Sequence, residues 1–153
     1  MIGLLQRVSE AQVTVDGAVI GSIAGGLLVF LAVEAGDTAT QADRLIERLV
    51  GYRVFPDPAG RMNLSLRDTR GGLLLVPQFT LAADTDTGMR PSFGSAAPPE
   101  QGRALFERAT TRARSQLGDR VASGQFGAHM QVRLTNDGPV TFWLRVPPVE
   151  GKL

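Results

Sequence analysis

The sequence of 153 residues contains no cysteine and a single histidine, His129. The absence of cysteine excludes disulfide bonds and thiolate chemistry, and it favours a cytoplasmic location. One histidine cannot supply the three or four ligands, mostly histidine and cysteine, that a zinc site requires. We therefore expect no metal and no cofactor, so any chemistry must use backbone groups, amides, hydroxyls or the substrate itself.

Several other features are also missing. No Walker loop, GxGxxG motif or GxSxG elbow occurs, and no apolar run is long enough to span a bilayer. The first residues, 1–8, lack the charged start and cleavage site of a signal peptide. The formal net charge is only +1, so an RNA partner would be bound over a small footprint rather than by a large electrostatic field. The composition predicts one domain over residues 1–153 without a membrane partner.

Strand-like runs occupy both ends of the chain, and two helical patterns lie between them. The first helix is predicted within residues 38–51, where a capping box precedes apolar residues at helical spacing. The second is predicted within residues 98–118. Its arginines, Arg108, Arg112 and Arg114, are expected on a solvated face, with RNA contact as the alternative. The dipeptide Asp16-Gly17 predicts a hairpin. We expect an α+β fold with a curled, largely antiparallel, barrel-like sheet and two packed helices.

An apolar run near the middle of the chain ends in polar residues. It spans residues 71–81, contains Pro77, Gln78 and Thr80, and predicts a buried strand. Proline cannot donate to a sheet ladder, so Pro77 indicates a sheet edge or a bulge. The simplest interpretation of the polar residues is an ordinary strand end. The loop that follows, residues 82–99, is longer than most connections in compact domains, which favours a functional role.

A second polar segment, Asn136-Asp137-Gly138-Pro139-Val140-Thr141, lies between two strand-like runs near the C-terminus. Asp-Gly between strands commonly forms a hairpin, so a tight turn is predicted at residues 136–139. A cis bond precedes about 5–6% of prolines in folded proteins. The sequence by itself does not decide the isomer of the Gly138-Pro139 bond. In the segment 126–132, alternating side chains predict a strand, with His129 as a surface or core residue rather than a catalytic one.

Six segments, in this order, resemble those of the D-aminoacyl-tRNA deacylase family. They are Leu5-Gln6-Arg7-Val8, Asn63-Leu64-Ser65, Gln78-Phe79-Thr80-Leu81, Arg90-Pro91-Ser92-Phe93, Phe126-Gly127-Ala128-His129-Met130 and Asn136-Asp137-Gly138-Pro139-Val140-Thr141. Each segment alone is a weak signal. Together, in one order along nearly the whole chain, they are highly specific.

The resemblance implies hydrolysis of the ester that joins a D-amino acid, or glycine, to the terminal adenosine of tRNA. It implies a homodimer with the active site at the interface, the acceptor end of aminoacyl-tRNA as partner, and no role for DNA. Gly138 and Pro139, joined by a cis bond, would project from one subunit into the pocket of the other and exclude L side chains. Selection by exclusion admits glycine, because glycine has no side chain to exclude.

The resemblance assigns the chemistry to Gln78, Phe79 and Thr80. Their backbone N–H groups and side-chain donors would hold the carbonyl and stabilise the oxyanion of the tetrahedral intermediate. Thr80 could instead be a covalent nucleophile, but nothing near it in the sequence would activate its hydroxyl. We favour attack assisted by the neighbouring ribose hydroxyl of the adenosine, which DNA lacks.

Four further substrate-binding positions follow from the same resemblance. Arg7 would brace the Gly-Pro pair, and Phe126 and Met130 would line the pocket, although a strand-end arginine and core residues are the alternatives. Pro77 departs from the family, which commonly has serine there. A sister subfamily that removes L-alanine from tRNA carries this proline, with a trans Gly-Pro bond. Deacylation of L-alanyl-tRNA is therefore one alternative function. A non-catalytic RNA-binding role is the other, because the near-neutral charge and the missing acid–base residues would suit it.

Overall fold

The computed structural model describes residues 1–149, which form a mixed sheet and two helices. The strands are β1 (Ile2–Val15), β2 (Ala18–Ile23), β3 (Gly26–Ala32), β4 (Phe55–Pro56), β5 (Met62–Leu64), β6 (Gly72–Pro77), β7 (Val121–Ser123) and β8 (Gln131–Arg145). The helices are α1 (Ala39–Gly51) and α2 (Pro99–Leu117), and two short 3-10 turns span Phe79–Ala82 and Gly118–Arg120. Among residues 1–149 no helix is both long and apolar enough to cross a membrane.

The main sheet has six strands and curls into a nearly closed barrel, while β4 and β5 form a separate two-stranded sheet. Strand β1 pairs antiparallel with β2, β3 and β8. Strand β6 pairs parallel with both β3 and β7. The α+β prediction is confirmed, with the addition that the sheet is mixed, because a helix connects β3 to β6 and another connects β6 to β7. The predicted single domain extends to residue 153, beyond the described residues.

Each face of the sheet buries apolar side chains. Because side chains alternate along a strand, Leu27, Val29 and Leu31 of β3 pack towards the two helices, while Leu28 faces the inside of the barrel. Helix α1 begins at the predicted capping box, in which the Thr38 hydroxyl accepts from a backbone N–H of the first turn. Both sides of the sheet are therefore covered, and the sheet forms a rigid support for the residues at its edges.

The predicted N-terminal hairpin is confirmed. Asp16 and Gly17 both have positive φ, at 48° and 80°, and they connect β1 to β2 with Val15 opposite Ala18. This geometry is the one that favours Asp-Gly in two-residue hairpins.

The predicted C-terminal hairpin is wrong. Strand β8 continues through residues 136–139, and both of its halves pair with β1. Thr141 lies opposite Gln6 and Asn136 opposite Val8, so residues 137–140 bulge out opposite Arg7 alone. The Asp-Gly signal is local, whereas the long β1 strand offers enough backbone to pair with both flanking runs. The segment therefore forms a bulge in one strand instead of a turn between two.

The strand predicted over residues 126–132 begins only at Gln131. The preceding residues form a turn in which Gly127 has a φ of 78°. Likewise the strand predicted to include Gln78 and Thr80 ends at Pro77, after which the chain enters the 3-10 turn. Both corrections place polar residues in turns at the barrel end, beyond the last residues of the strands.

The α-amino group of Met1 lies in a buried ion cluster. It donates to Glu34 Oε2 at 2.8 Å, to Asp37 Oδ1 at 2.7 Å and to the carbonyl of Val146 at 2.8 Å. Arg145 also pairs with Glu34, at 2.7 Å. Burial tends to raise the pKa of Glu34, but the hydrogen bonds from Arg145 and Met1 outweigh it and hold this pKa below its ordinary value.

Replacing Glu34 with glutamine is expected to lower the free energy of unfolding at pH 7 by roughly 1–3 kcal/mol. Arg145 loses its ionic partner, and the Met1 amino group loses one of its two. The native pKa of Glu34 lies below its unfolded value. Its stabilisation is therefore complete above the ordinary pKa and is lost as the pH falls through the lowered native value. Urea unfolding should show that the difference between wild type and variant shrinks between pH 7 and about pH 3.

Glu47→Gln is the matched control for this prediction. Glu47 pairs with Arg44 and Arg112, but its side chain is 39% exposed, so the substitution should change stability by less than about 1 kcal/mol. A Glu34→Gln variant that is as stable as the control, or a deficit that stays constant at acid pH, would contradict the assigned role of the cluster.

Candidate active site

A cavity of about 450 Å³ opens where β6 ends, between the 3-10 turn, the start of α2 and the turn that precedes β8. Five of the residues predicted from the sequence line it: Pro77, Gln78, Phe79, Phe126 and Met130. The rest of its wall is largely apolar and comes from β3, α2 and the first residues of β8. The structure thus brings together two motifs that are about fifty residues apart in the sequence.

The end of β6 fixes the position of Gln78. The backbone N–H of Gln78 donates to the carbonyl of Leu31 at 2.8 Å, which continues the pairing with β3. While it makes this bond, the N–H is not free to hold an oxyanion, and the catalytic role of Gln78 stays a prediction. The N–H groups of Phe79 and Thr80 have no hydrogen-bond partner within residues 1–149. They are the two backbone donors that this edge of the site leaves available.

The side chains of Gln78 and Thr80 contact each other. The Gln78 amide donates to the Thr80 hydroxyl oxygen. An amide N–H cannot accept the hydroxyl proton, and in the described part of the chain no carboxylate or imidazole hydrogen-bonds to this hydroxyl. Thr80 is exposed and does not line the cavity. The arrangement offers no general base that would convert Thr80 into a nucleophile.

Phe79 lies at the rim of the cavity. Its ring is 57% exposed and packs on Phe93 of the long loop, with ring centroids 5.2 Å apart. An aromatic pair that stays this exposed in a single chain can cover apolar groups that enter the cavity.

The opposite wall is formed by the turn before β8. A Cβ atom built on Gly102 of α2 would lie 3.1 Å from Phe126 Cζ, so the ring packs directly against the helix. Met130 is held by a weak hydrogen bond from the Gln125 N–H to its sulfur, at 3.4 Å. His129 is exposed and also lines the cavity, where it is the only titratable residue among those of the described chain. His129 lies between Phe126 and Met130 in one sequence motif, and this position could have predicted its place on the cavity wall. The sequence interpretation missed it.

The bulge that carries Gly138 and Pro139 lies elsewhere on the barrel. The bond between them is cis, as the resemblance implied. Arg7 contacts the bulge from below: its Nε donates to the carbonyl of Asp137 at 2.9 Å, and its Nη1 donates to that of Val54 at 2.7 Å. This is the contact that bracing requires, and the bracing role itself stays a prediction.

Asn136 closes the base of the bulge. Its Oδ1 accepts from the Val140 N–H at 2.7 Å, and its Nδ2 donates to the Thr141 hydroxyl at 2.9 Å. Gln6 donates to the same hydroxyl at 3.2 Å. The amide thus satisfies backbone groups that the bulge removes from the β1–β8 ladder. The sequence interpretation gave Asn136 no role, although its spacing from Thr141 was visible.

Within one chain the bulge does not reach the cavity. Arg7 and Asp137 line a separate open cleft, and neither Gly138 nor Pro139 lines the cavity in the part of the chain described. The predicted site residues therefore form two groups on one chain, the cavity with its 3-10 turn and the bulge with Arg7.

Comparison with known proteins shows which family this chain resembles. The family model described as D-Tyr-tRNA(Tyr) deacylase matches residues 4–145. The chain belongs to this deacylase family. The D-aminoacyl-tRNA deacylase of Thioalkalivibrio sulfidiphilus (strain HL-EbGR7) is 64% identical over 148 residues, which are 97% of this chain and 99% of that protein. The D-aminoacyl-tRNA deacylase of Janthinobacterium sp. (strain Marseille) is 61% identical over 149 residues, with coverage of 97% and 99%.

Two solved structures share the deacylase fold. One, titled c-Myc DNA Unwinding Element Binding Protein, superposes with a TM-score of 0.92 at 35% identity and covers 96% of this chain and 99% of that one. The other, from a structural analysis of a probable eukaryotic D-amino acid tRNA deacylase, has a TM-score of 0.81 at 20% identity, with coverage of 94% and 97%. The second likeness shows the fold alone.

Proposed function

We propose that this chain hydrolyses the ester bond of D-aminoacyl-tRNA and releases the free D-amino acid and tRNA. The observation that carries the proposal is the 64% identity, over 97% of the chain, to a protein named D-aminoacyl-tRNA deacylase. The six sequence motifs and the cavity that two of them line agree with it. The enzyme is thus a hydrolase that acts on ester bonds, with the acceptor end of tRNA and its terminal adenosine as partner.

A homodimer would complete the site. The Gly138-Pro139 bulge and the cavity lie apart on one chain, which supports a dimer in which the bulge of one copy covers the cavity of the other. The bulge is supported by Arg7 and clamped by Asn136, so it could act as a rigid wall. Such a wall excludes an L side chain and leaves room for the D enantiomer or for glycine. Glycyl-tRNA would therefore also be hydrolysed.

The 3-10 turn, Phe79–Ala82, would bind the ester carbonyl. The free N–H groups of Phe79 and Thr80 would stabilise the oxyanion, each contributing about 10²–10³ in rate. Among the described residues the cavity wall carries no carboxylate, so the attacking water would be positioned or activated by the neighbouring ribose hydroxyl. Pro77 supplies neither the hydroxyl nor the backbone donor that serine would provide, and catalysis must proceed without them.

Replacing Thr80 with alanine is expected to leave most of the hydrolysis intact, within about tenfold of wild type, because the backbone N–H of the residue is retained. The loss reflects only the missing contact to the Gln78 amide. Single-turnover measurement of D-tyrosyl-tRNA hydrolysis checks this. Thr80→Ser is the control and should match wild type, whereas an acyl-enzyme trapped at Thr80 would contradict the proposed mechanism.

The function itself is tested by following ester loss from D-tyrosyl-tRNA and from L-alanyl-tRNA with the purified protein. Loss of the D ester alone supports the proposal. Loss of the L-alanyl ester would assign the chain to the sister activity that shares the proline at position 77. Loss of neither would leave a non-catalytic RNA-binding domain as the interpretation. A cytoplasmic location remains a prediction.

A further inference from the structure

The arginines of α2 differ in what they contact. Arg108 forms an ion pair with Asp43 of α1, at 2.6 Å, and Arg112 pairs with Glu47, at 3.3 Å. Both guanidinium groups thus hold the two helices together and are neutralised there. This pairing removes two of the arginines that the sequence interpretation considered for RNA contact.

Arg103 is placed differently. Its side chain is exposed, and its guanidinium carbon lies 5.0 Å from the centre of the Phe126 ring. No carboxylate of residues 1–149 forms an ion pair with it, although Glu100 and Glu107 lie on the same helix. The guanidinium carbon therefore lies over an aromatic ring, while the edge that carries the N–H donors has no partner in the described structure.

This edge lies beside the mouth of the cavity. Arg103 Nη2 is 3.7 Å from the position of a Cβ atom built on Gly127, and both Gly127 and Phe126 line the cavity. Gly102, the preceding residue, lines it as well. The Arg103 guanidinium can therefore contact the part of a bound ligand that extends out of the cavity.

We propose that Arg103 binds a backbone phosphate of the single-stranded 3′ end of the substrate RNA. The inference rests on the proposed function, in which the cavity holds the terminal nucleoside and its aminoacyl group. The phosphate that joins this nucleoside to the rest of the RNA must then leave the cavity at its mouth. A guanidinium held over the Phe126 ring keeps its unpaired N–H donors at this position, where they can bind an anionic oxygen pair.

The test compares two substrates that differ in phosphate. One is D-tyrosyl-tRNA, and the other is D-tyrosyl-adenosine, the same ester on a nucleoside without any phosphate. For Arg103→Gln we expect kcat/KM on the tRNA to fall about tenfold, mainly through KM. On the nucleoside ester we expect a change of less than about twofold. The slope of log(kcat/KM) against log salt on the tRNA should become shallower by about 0.7, the value for one single-strand phosphate contact.

Two variants serve as controls. Arg103→Lys keeps the charge and should retain most of the preference for tRNA. Arg114→Gln makes the same charge change on the same helix, about 16 Å further along its axis. Arg114 is exposed and does not line the cavity, so this variant should keep the kcat/KM and the salt slope of wild type.

Three results would overturn the proposal. Arg103→Gln could lose as much on the nucleoside ester as on the tRNA, which would make Arg103 only a support for Phe126. It could retain the salt slope of wild type on tRNA, or Arg114→Gln could lose activity equally. Wild-type protein that hydrolyses neither D ester would instead refute the proposed function, so the two failures are distinguishable.

Discussion

Replacing Gly138 with alanine is expected to reduce the hydrolysis of D-tyrosyl-tRNA by at least about 100-fold, because a displacement of about 1 Å at a positioning element has effects of this size. Gly138 has a φ of 149°, a conformation that L residues rarely adopt. A Cβ atom at this position would lie 2.6 Å from Val140 Cγ2 and 2.8 Å from the Val140 nitrogen. The bulge must therefore shift, and with it the wall that selects the substrate.

Gly60→Ala is the matched control. Gly60 also has a positive φ, of 79°, but a Cβ atom there would meet nothing within 4 Å. Gly60→Ala carries a backbone penalty of about 1–2 kcal/mol, so thermal unfolding should show a loss of stability for this control too. The Gly138 variant should lose more, because it also bears the close contacts with Val140. Only the Gly138 variant should lose kcat/KM. Full activity of Gly138→Ala would show that the bulge has no part in the reaction.

Subunit mixing tests where the bulge acts. Gly138→Ala has an intact cavity and a displaced bulge. A second variant, such as Gly102→Trp, has a blocked cavity and an intact bulge. Gly102 packs against Phe126, so a large side chain there would fill the cavity. Refolding the two together should restore part of the activity that each lacks alone. No restoration would argue that each chain uses its own bulge.

The second large effect concerns the substrate. Removing the 2′-hydroxyl of the terminal adenosine, with the D-amino acid on the 3′ oxygen, is expected to slow hydrolysis by about 10²–10³, because a well-oriented neighbouring group can contribute this much. Apart from His129, the described residues offer no alternative base at the reacting edge: the Thr80 hydroxyl contacts only the Gln78 amide, and the cavity wall holds no carboxylate. Rapid-quench measurement of single turnovers on both substrates gives the ratio.

His129 is the control for this prediction, since it is the only titratable residue of the described chain on the cavity wall. His129→Asn should stay within about threefold of wild type on the normal substrate, because an exposed imidazole makes few contacts to lose. A large loss in this variant, together with a small effect of the 2′-deoxy substitution, would identify His129 as the base and contradict substrate assistance.

Local patterns in the sequence predicted local structure well. The Asp16-Gly17 hairpin, the capping box at Thr38 and the proline start of α2 are all present, because each depends on contacts between neighbouring residues. The turn at residues 136–139 was predicted by the same kind of signal and is wrong. Whether Asp-Gly makes a hairpin or a bulge is decided by β1, more than 120 residues away in the chain.

In the candidate active site, too, local features were predicted and contacts that depend on distant parts of the chain were not. The resemblance implied a pocket formed by Gln78, Phe79, Phe126 and Met130, and these four residues line one cavity. The sequence could not show that the Gln78 N–H is taken by Leu31. That bond depends on the parallel register of β3 and β6, which no short motif encodes.

The most direct test of the central claim is to measure kcat/KM of the wild-type protein on D-tyrosyl-tRNA and on L-tyrosyl-tRNA under one set of conditions. A rigid wall that excludes the L side chain predicts rapid loss of the D ester and no enzyme-dependent loss of the L ester. Equal cleavage of the two enantiomers would contradict selection by exclusion.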